Sequence, residues 1–186
     1  ESLIVDLGEV LVRLLQRSLP PKVKTSTPML FASLPHVVWI RVDGKGSFEI
    51  SGQLRDFVMR KIETGSAQFV IDLDRCTGMD STFMGTLLGI SKEVARTTSG
   101  LLDVVNANGR NVQLLKNLGL TSILSVDEKA ERWITERQQL GQELSACDSV
   151  KLDKQATANI MLEAHEALAG AQPENAARFE DVIHFL

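Results

Sequence analysis

Val70-Ile-Asp-Leu-Asp-Arg-Cys-Thr-Gly-Met-Asp-Ser-Thr-Phe-Met-Gly-Thr-Leu87 is the stretch on which the reading of this chain turns. Phe69-Val-Ile-Asp-Leu73 is apolar and β-branched and reads as a buried central strand ending in the acidic residues Asp72 and Asp74. Asp74 to Met79 read as a loop. Asp80 then begins a helix whose inner face carries Phe83, Met84, Leu87, Leu88, Ser91 and Val94. Asp80-Ser81-Thr82 therefore stands at a helix start, where the first N–H groups lack intrahelical partners and the peptide dipoles add partial positive charge. In open α/β sheets such strand-to-helix loops are where ligands gather. Taken alone, the cluster reads as a capping arrangement. Taken with the strand end, it holds the Ser81 hydroxyl in a fixed, exposed place at an anion-tolerant helix terminus.

The pattern extends in both directions. Upstream, Val37, Val38, Ile40 and Val42 make a strand, Gly44-Lys-Gly46 reads as a turn, and Ser51 as the cap of a helix. That helix carries Leu54, Phe57, Val58 and Ile62 on one face and ends at Gly65. Downstream, Leu101, Leu102, Val104 and Val105 predict a third strand. A helix bearing Val112, Leu115 and Leu118 stops at Gly119, and Ile123-Leu124 reads as a short fourth strand. Gly85 and Gly89 sit four apart on the Asp80 helix, a spacing that admits a close backbone approach. Strand and helix alternate from 37 to 125, which predicts an α/β domain with a mainly parallel or mixed sheet covered by helices.

Helices are expected to flank this core on both sides. Leu3, Ile4, Leu7, Val10, Leu11, Leu14 and Leu15 form a helical stripe over 1–19, stopped by Pro20-Pro21, and Lys22 to Pro35 reads as a linker. Beyond the core, a helix is expected from Asp127 with Ala130, Trp133, Ile134 and Leu140 inward. A second carries Ile160, Ala164 and Leu168 and ends near Gly170; a third opens with Pro173 and carries Ala176, Phe179, Ile183 and Leu186. These C-terminal side chains are too apolar to leave in water, so the helices are expected to pack together or on the core. The expected organisation is an N-terminal helix and linker over 1–35, the α/β domain over 36–135 and a C-terminal helical extension over 136–186.

Composition narrows the function without naming it. Twenty Lys and Arg stand against 24 Asp and Glu, a net charge of −4, and no basic run stands out, so direct nucleic-acid binding is not expected. No apolar stretch approaches the ~20 residues that span a bilayer. Asp6, Glu9 and Arg13 interrupt the N-terminal run, which does not read as a secretory signal. The two cysteines, Cys76 and Cys147, make neither a disulfide framework nor a four-cysteine metal site, and a cytoplasmic setting is expected. His36, His165 and His184 are scattered and read as structural or solvated, and His165-Glu166 lacks the second histidine of a zinc-protease helix. No cofactor or metal is expected.

The central stretch resembles the middle of a STAS domain, the fold of bacterial anti-sigma-factor antagonists. The resemblance rests on Asp72-Leu73 at the strand end and Met79-Asp80-Ser81-Thr82 opening the helix. It extends to Asn106-Ala-Asn-Gly109 before the next helix and Leu118-Gly-Leu120 after it, about half the chain in all. Where the family usually has Gly three places after the Asp, this chain has Phe83. The resemblance implies that Ser81 is phosphorylated by a partner serine kinase that is also the anti-sigma factor, with Thr82 as a secondary acceptor. It further implies that the unphosphorylated protein sequesters that kinase through Asp72, Asp74, Asp80, Ser81 and Thr82, and that a serine phosphatase resets the switch. Such a protein is a substrate and a binder, not an enzyme.

Two other readings are open. A STAS module can act without phosphorylation, binding a nucleotide, a lipid or a transporter partner. Alternatively, Phe69-Val-Ile-Asp-Leu-Asp74 has the shape of a haloacid-dehalogenase nucleophile motif, with Asp72 attacking phosphorus, Asp74 handling a proton and Mg²⁺ between them. Against that reading, the motif does not open its domain here, and Cys76 stands where Thr or Val is expected.

Overall fold

In the computed structural model, residues 28–129, 131–140, 144–147 and 152–186 are described; the helix expected over 1–19 and Ala130 lie outside them. Strands β1 (Met29–Ser33), β2 (Val38–Val42), β4 (Gln68–Asp72), β6 (Leu101–Val105), β7 (Ser125–Asp127) and β8 (Ser145–Ala146) form one sheet in the order β7-β6-β4-β2-β1-β8. The strands β2, β4, β6 and β7 are parallel neighbours, and β1 is antiparallel to both β2 and β8. Parallel neighbours need crossovers, and helices supply them. These are α1 (Phe48–Glu63) before β4, α2 (Ser81–Thr98) before β6 and α3 (Gly109–Asn117) before β7.

The pleat sorts side chains between two faces. Val38, Ile40, Phe69, Ile71, Leu102 and Val104 belong to the main core, together with Leu54 and Val58 of α1 and Phe83, Leu87 and Leu88 of α2. Trp39, Val70 and Val105 belong to a smaller cluster on the other face, closed by Leu140 and Trp133. The sheet is thus mixed and helix-covered, as expected.

Five local expectations are corrected. Met29–Ser33 is a strand, with Met29 opposite Val42, so the sheet begins inside the stretch read as linker; an apolar pentapeptide among Ser, Thr and Pro is revealed by its partner, not its neighbours. Gly44–Gly46 is a short strand, β3, rather than a turn, and pairs in parallel with β5 (Cys76–Met79), which reads as loop in the sequence. α1 starts a turn before Ser51, which is fully buried within it and donates its hydroxyl to the Ser47 carbonyl. Ile123-Leu124 precedes the paired strand instead of forming it, because a 3₁₀ turn at Leu120–Ser122 delays the chain. Asp127 closes β7, and its carboxylate accepts from the Glu131 and Arg132 amides; the next helix, α4 (Ile134–Gln139), is shorter than expected, with Ile134 exposed and Leu140 buried.

The C-terminal helices, α5 (Lys154–Ala169) and α6 (Pro173–Phe185), form a hairpin packed on α2, with α5 also touching α1. Ile160, Ala164, Leu168 and Phe179 are buried, as their spacing predicts, whereas Ala176 is exposed. Asn175 locks the hairpin to the core, donating to the carbonyls of Leu118, at the end of α3, and of Leu168. Gly119 is in the left-handed conformation that ends α3, and a Cβ there would strike the Gln172 side chain.

Candidate functional site

The site is built where β4 ends and α2 begins. Asp80 is the N-cap of α2: one carboxylate oxygen accepts the Phe83 amide at 2.9 Å. Its other oxygen accepts the Phe48 amide at 3.0 Å, the first residue of α1. Ser47, the N-cap of α1, makes no side-chain cap bond, so one carboxylate serves the starts of two helices. The Asp80 amide donates to the Gly46 carbonyl, which ties β3 to the same corner. Phe83, the departure from the family pattern, is fully buried against Gly46, where an added Cβ would lie 2.7 Å from its ring.

Ser81 is the first residue of α2 and is partly exposed, while Thr82 is 3% exposed and turned into the protein. The Ser81 hydroxyl lies 2.9 Å from Nε2 of His165 on α5. Nδ1 of that ring is 2.7 Å from the Met161 carbonyl. A carbonyl only accepts, so Nδ1 carries a proton and donates to Met161, which leaves Nε2 to pair with the Ser81 hydroxyl. His165 is 4% exposed and stacks obliquely on Phe179 of α6, with ring centroids 5.3 Å apart. The histidine that reads as structural or solvated in the sequence is buried, and its partner is the candidate serine.

Asp72 plays a different part. It is fully buried, and each carboxylate oxygen takes two donors. One oxygen accepts from Trp39 Nε1 at 3.1 Å and Arg41 Nε at 2.8 Å; the other accepts from the Asp74 amide at 3.0 Å and Asn106 Nδ2 at 2.8 Å. Burial by itself would raise this carboxyl, and the hydrogen bonds from Asn106, the Asp74 amide and Arg41 outweigh it, holding it below the ordinary carboxylate value. A carboxylate so enclosed does not face a partner, so Asp72 is corrected from contact residue to organiser of the strand end. The same enclosure removes it as a free nucleophile, and among the described residues no group of three or more His, Cys, Asp and Glu is placed to hold a metal. Asp74 is exposed. Thus Asp74, Asp80 and Ser81 keep surface at the site, while Asp72 and Thr82 lie beneath it.

The asparagines of the Asn106-Ala-Asn-Gly109 segment wire the loop. Asn106, at positive φ, serves Asp72; Asn108 caps α3 by accepting the Asn111 amide, and both Asn108 and Asn111 donate to the Cys76 carbonyl on β5. Trp39, Arg41 and His165 are the site residues that sequence reasoning passes over. Trp39 and Arg41 carry one signal, a period-2 polar-capable pair on β2; His165 carries only its place beside Ala164 on an apolar helix face.

This arrangement matches a known family. The STAS domain family model matches residues 30–133, from β1 to the start of α4. The chain belongs to the STAS domain family. Among solved structures, a candidate anti-sigma factor antagonist from Thermotoga maritima aligns with a TM-score of 0.51 at 17% identity, covering 60% of this chain and 92% of that one. An anti-sigma factor antagonist from Mycobacterium paratuberculosis aligns at 0.50 and 16%, covering 59% and 92%. Unphosphorylated SpoIIAA, also an anti-sigma factor antagonist, aligns at 0.46 and 20%, covering 59% and 96%. No curated protein matches the sequence. The STAS match stops where α4 begins, so the α5–α6 hairpin lies outside it.

Proposed function

We propose that this STAS protein is an anti-sigma-factor antagonist switched by phosphorylation of Ser81. The observation that carries the reading is the contrast between Ser81, a partly exposed hydroxyl at the first position of α2, and its buried neighbour Thr82. The Asp80-Ser81 pair, between β5 and α2, lies inside the STAS match, and the fold is that of the solved candidate antagonist from T. maritima and the antagonist from M. paratuberculosis. The partner is a serine kinase that doubles as an anti-sigma factor. Unphosphorylated, the chain holds that kinase through Asp74, Asp80 and Ser81. On transfer from ATP, the Ser81 oxygen forms a bond to the γ-phosphorus, the bond from that phosphorus to ADP breaks, and the hydroxyl proton leaves. A serine phosphatase hydrolyses the phosphoester and restores the hydroxyl.

The physics suits a switch. A phosphoryl group adds about −1.5 to −2 charges. The start of α2 tolerates an anion, so the sheet and the helix that carries Ser81 keep their shape. A partner surface shaped for a neutral hydroxyl beside Asp74 and Asp80 meets like-charge repulsion and the cost of desolvating a dianion. The test is phosphorylation with ATP and the purified partner kinase, followed by site mapping. Ser81→Ala is expected to bind the kinase and take no phosphate, and Ser81→Asp to fold and bind more weakly. Equal phosphorylation of Ser81→Ala and the parent would move the acceptor elsewhere.

A further inference from the structure

The same serine is held from inside the molecule. α5 lies across α2 with almost no clearance: a Cβ on Gly85 would stand 2.2 Å from the Ala164 carbonyl oxygen, so the spacing of the two backbones depends on that glycine. On α1, a Cβ on Gly52 would meet the Leu152 and Ile160 side chains at 2.2 and 2.6 Å. Gly89, one turn further along α2, has nothing within 4 Å, and a cleft of about 290 Å³ opens there between α1, α2 and α5. The hairpin is therefore in backbone contact with α2 at Gly85, beside the cleft. The residue after Ala164 is His165, whose Nε2 lies 2.9 Å from the Ser81 hydroxyl.

We propose that the α5–α6 hairpin is an intramolecular cap on the Ser81 surface, and that a docked hairpin and a phosphoryl group on Ser81 exclude one another. A separation of 2.9 Å between the serine oxygen and Nε2 leaves no room for a phosphorus and three oxygens between them. Within the docked state His165 is held by the bond from Nδ1 to Met161 and by the contact of its ring with Phe179. Phosphorylation therefore lifts the hairpin, and a partner that claims the start of α2 competes with the chain's own α5. The inference rests on the phosphoswitch reading for its biological trigger, and on the geometry alone for the cap.

The full chain and diethyl pyrocarbonate, which modifies unprotonated imidazole, provide the test. His184 is exposed on the same hairpin and serves as the internal standard. In the parent, peptide mass spectrometry is expected to show His165 modified at least about 10-fold more slowly than His184, as for any group reached only through local opening. Phosphoserine installed at position 81 during synthesis should bring His165 to within about 3-fold of His184, with hydrogen exchange in β4 and β6 unchanged. Gly85→Leu should do the same by pushing α5 off α2; if it does not fold, Gly85→Ala, which keeps a helix-favouring residue, replaces it. A parent His165 as reactive as His184 overturns the cap, and so does a His165 rate that phosphoserine leaves unchanged. Failure of the phosphoswitch reading looks different: the kinase leaves Ser81 unmodified while installed phosphoserine still frees His165.

Discussion

Asp72 and Asp80 stand on either side of β5 and do opposite work. Asp72 is sealed at the end of β4, with four donors closing its two oxygens. Asp80 sits at the rim, caps α1 and α2 together and leaves the next residue, Ser81, partly exposed. The first carboxylate keeps the strand end rigid; the second sets a serine on that rigid base. The acidic character of this segment is thus architectural at one end and open to solvent at the other.

The comparison can be broken most directly at Asp72. Asp72→Ala strands Arg41, Trp39 and Asn106 around an empty place and is expected to cost about 3–5 kcal/mol in urea denaturation, the range for removing one partner of a buried pair. A cost below about 1 kcal/mol would put Asp72 on the same footing as an exposed acid. Acid titration sharpens the point. The folded carboxyl lies below its ordinary value, so the folded state binds fewer protons than the unfolded chain. Its stabilisation is complete above the unfolded value and is lost as pH falls through the lower folded one. The parent's urea midpoint should therefore drop as pH falls below about 4, and Asp72→Asn should flatten that slope.

Asp80→Ala comes next. It removes the side-chain caps of two helices and is expected to cost about 2 kcal/mol, from roughly 1 kcal/mol for each cap. If denaturation shows only half that, the bond to Phe48 contributes nothing. Ser81→Ala is the smallest. It removes one hydrogen bond, to His165, and is expected to cost about 1 kcal/mol while abolishing phosphorylation at this position. A loss as large as that of Asp72→Ala would make Ser81 a structural residue and weaken its part in a switch.

Legibility in the sequence followed the range of the interactions. β2, β4, β6, α2 and α3 carry their own periodicity and caps, and they sit where the pattern predicts them. β3 and β5 do not, because they are only three and four residues long and pair with each other across α1 and β4, and β1 is masked by the Ser, Thr and Pro around it. The Asp80-Ser81 helix start is a local motif and is legible as one. The enclosure of Asp72 is not, since its donors come from β2 and from the loop after β6. The start of α1 misleads for the same reason: Ser51 looks like a cap, but the real one arrives from Asp80.

What the sequence determined by itself is the alternation of strands and helices, the STAS pattern around Asp72-Leu73 and Asp80-Ser81-Thr82, and the apolar stripes that bring α5 and α6 back to the core. Each of these is written within one or two turns of chain, where hydrophobic period and capping chemistry act. Only the tertiary structure decided which of five acidic and hydroxyl residues keep surface, that one carboxylate caps two helices, and that His165 holds Ser81 across 84 positions of sequence. Those outcomes depend on burial and on donor–acceptor distances between segments that meet only once the sheet is formed, and no local pattern encodes a distance between them.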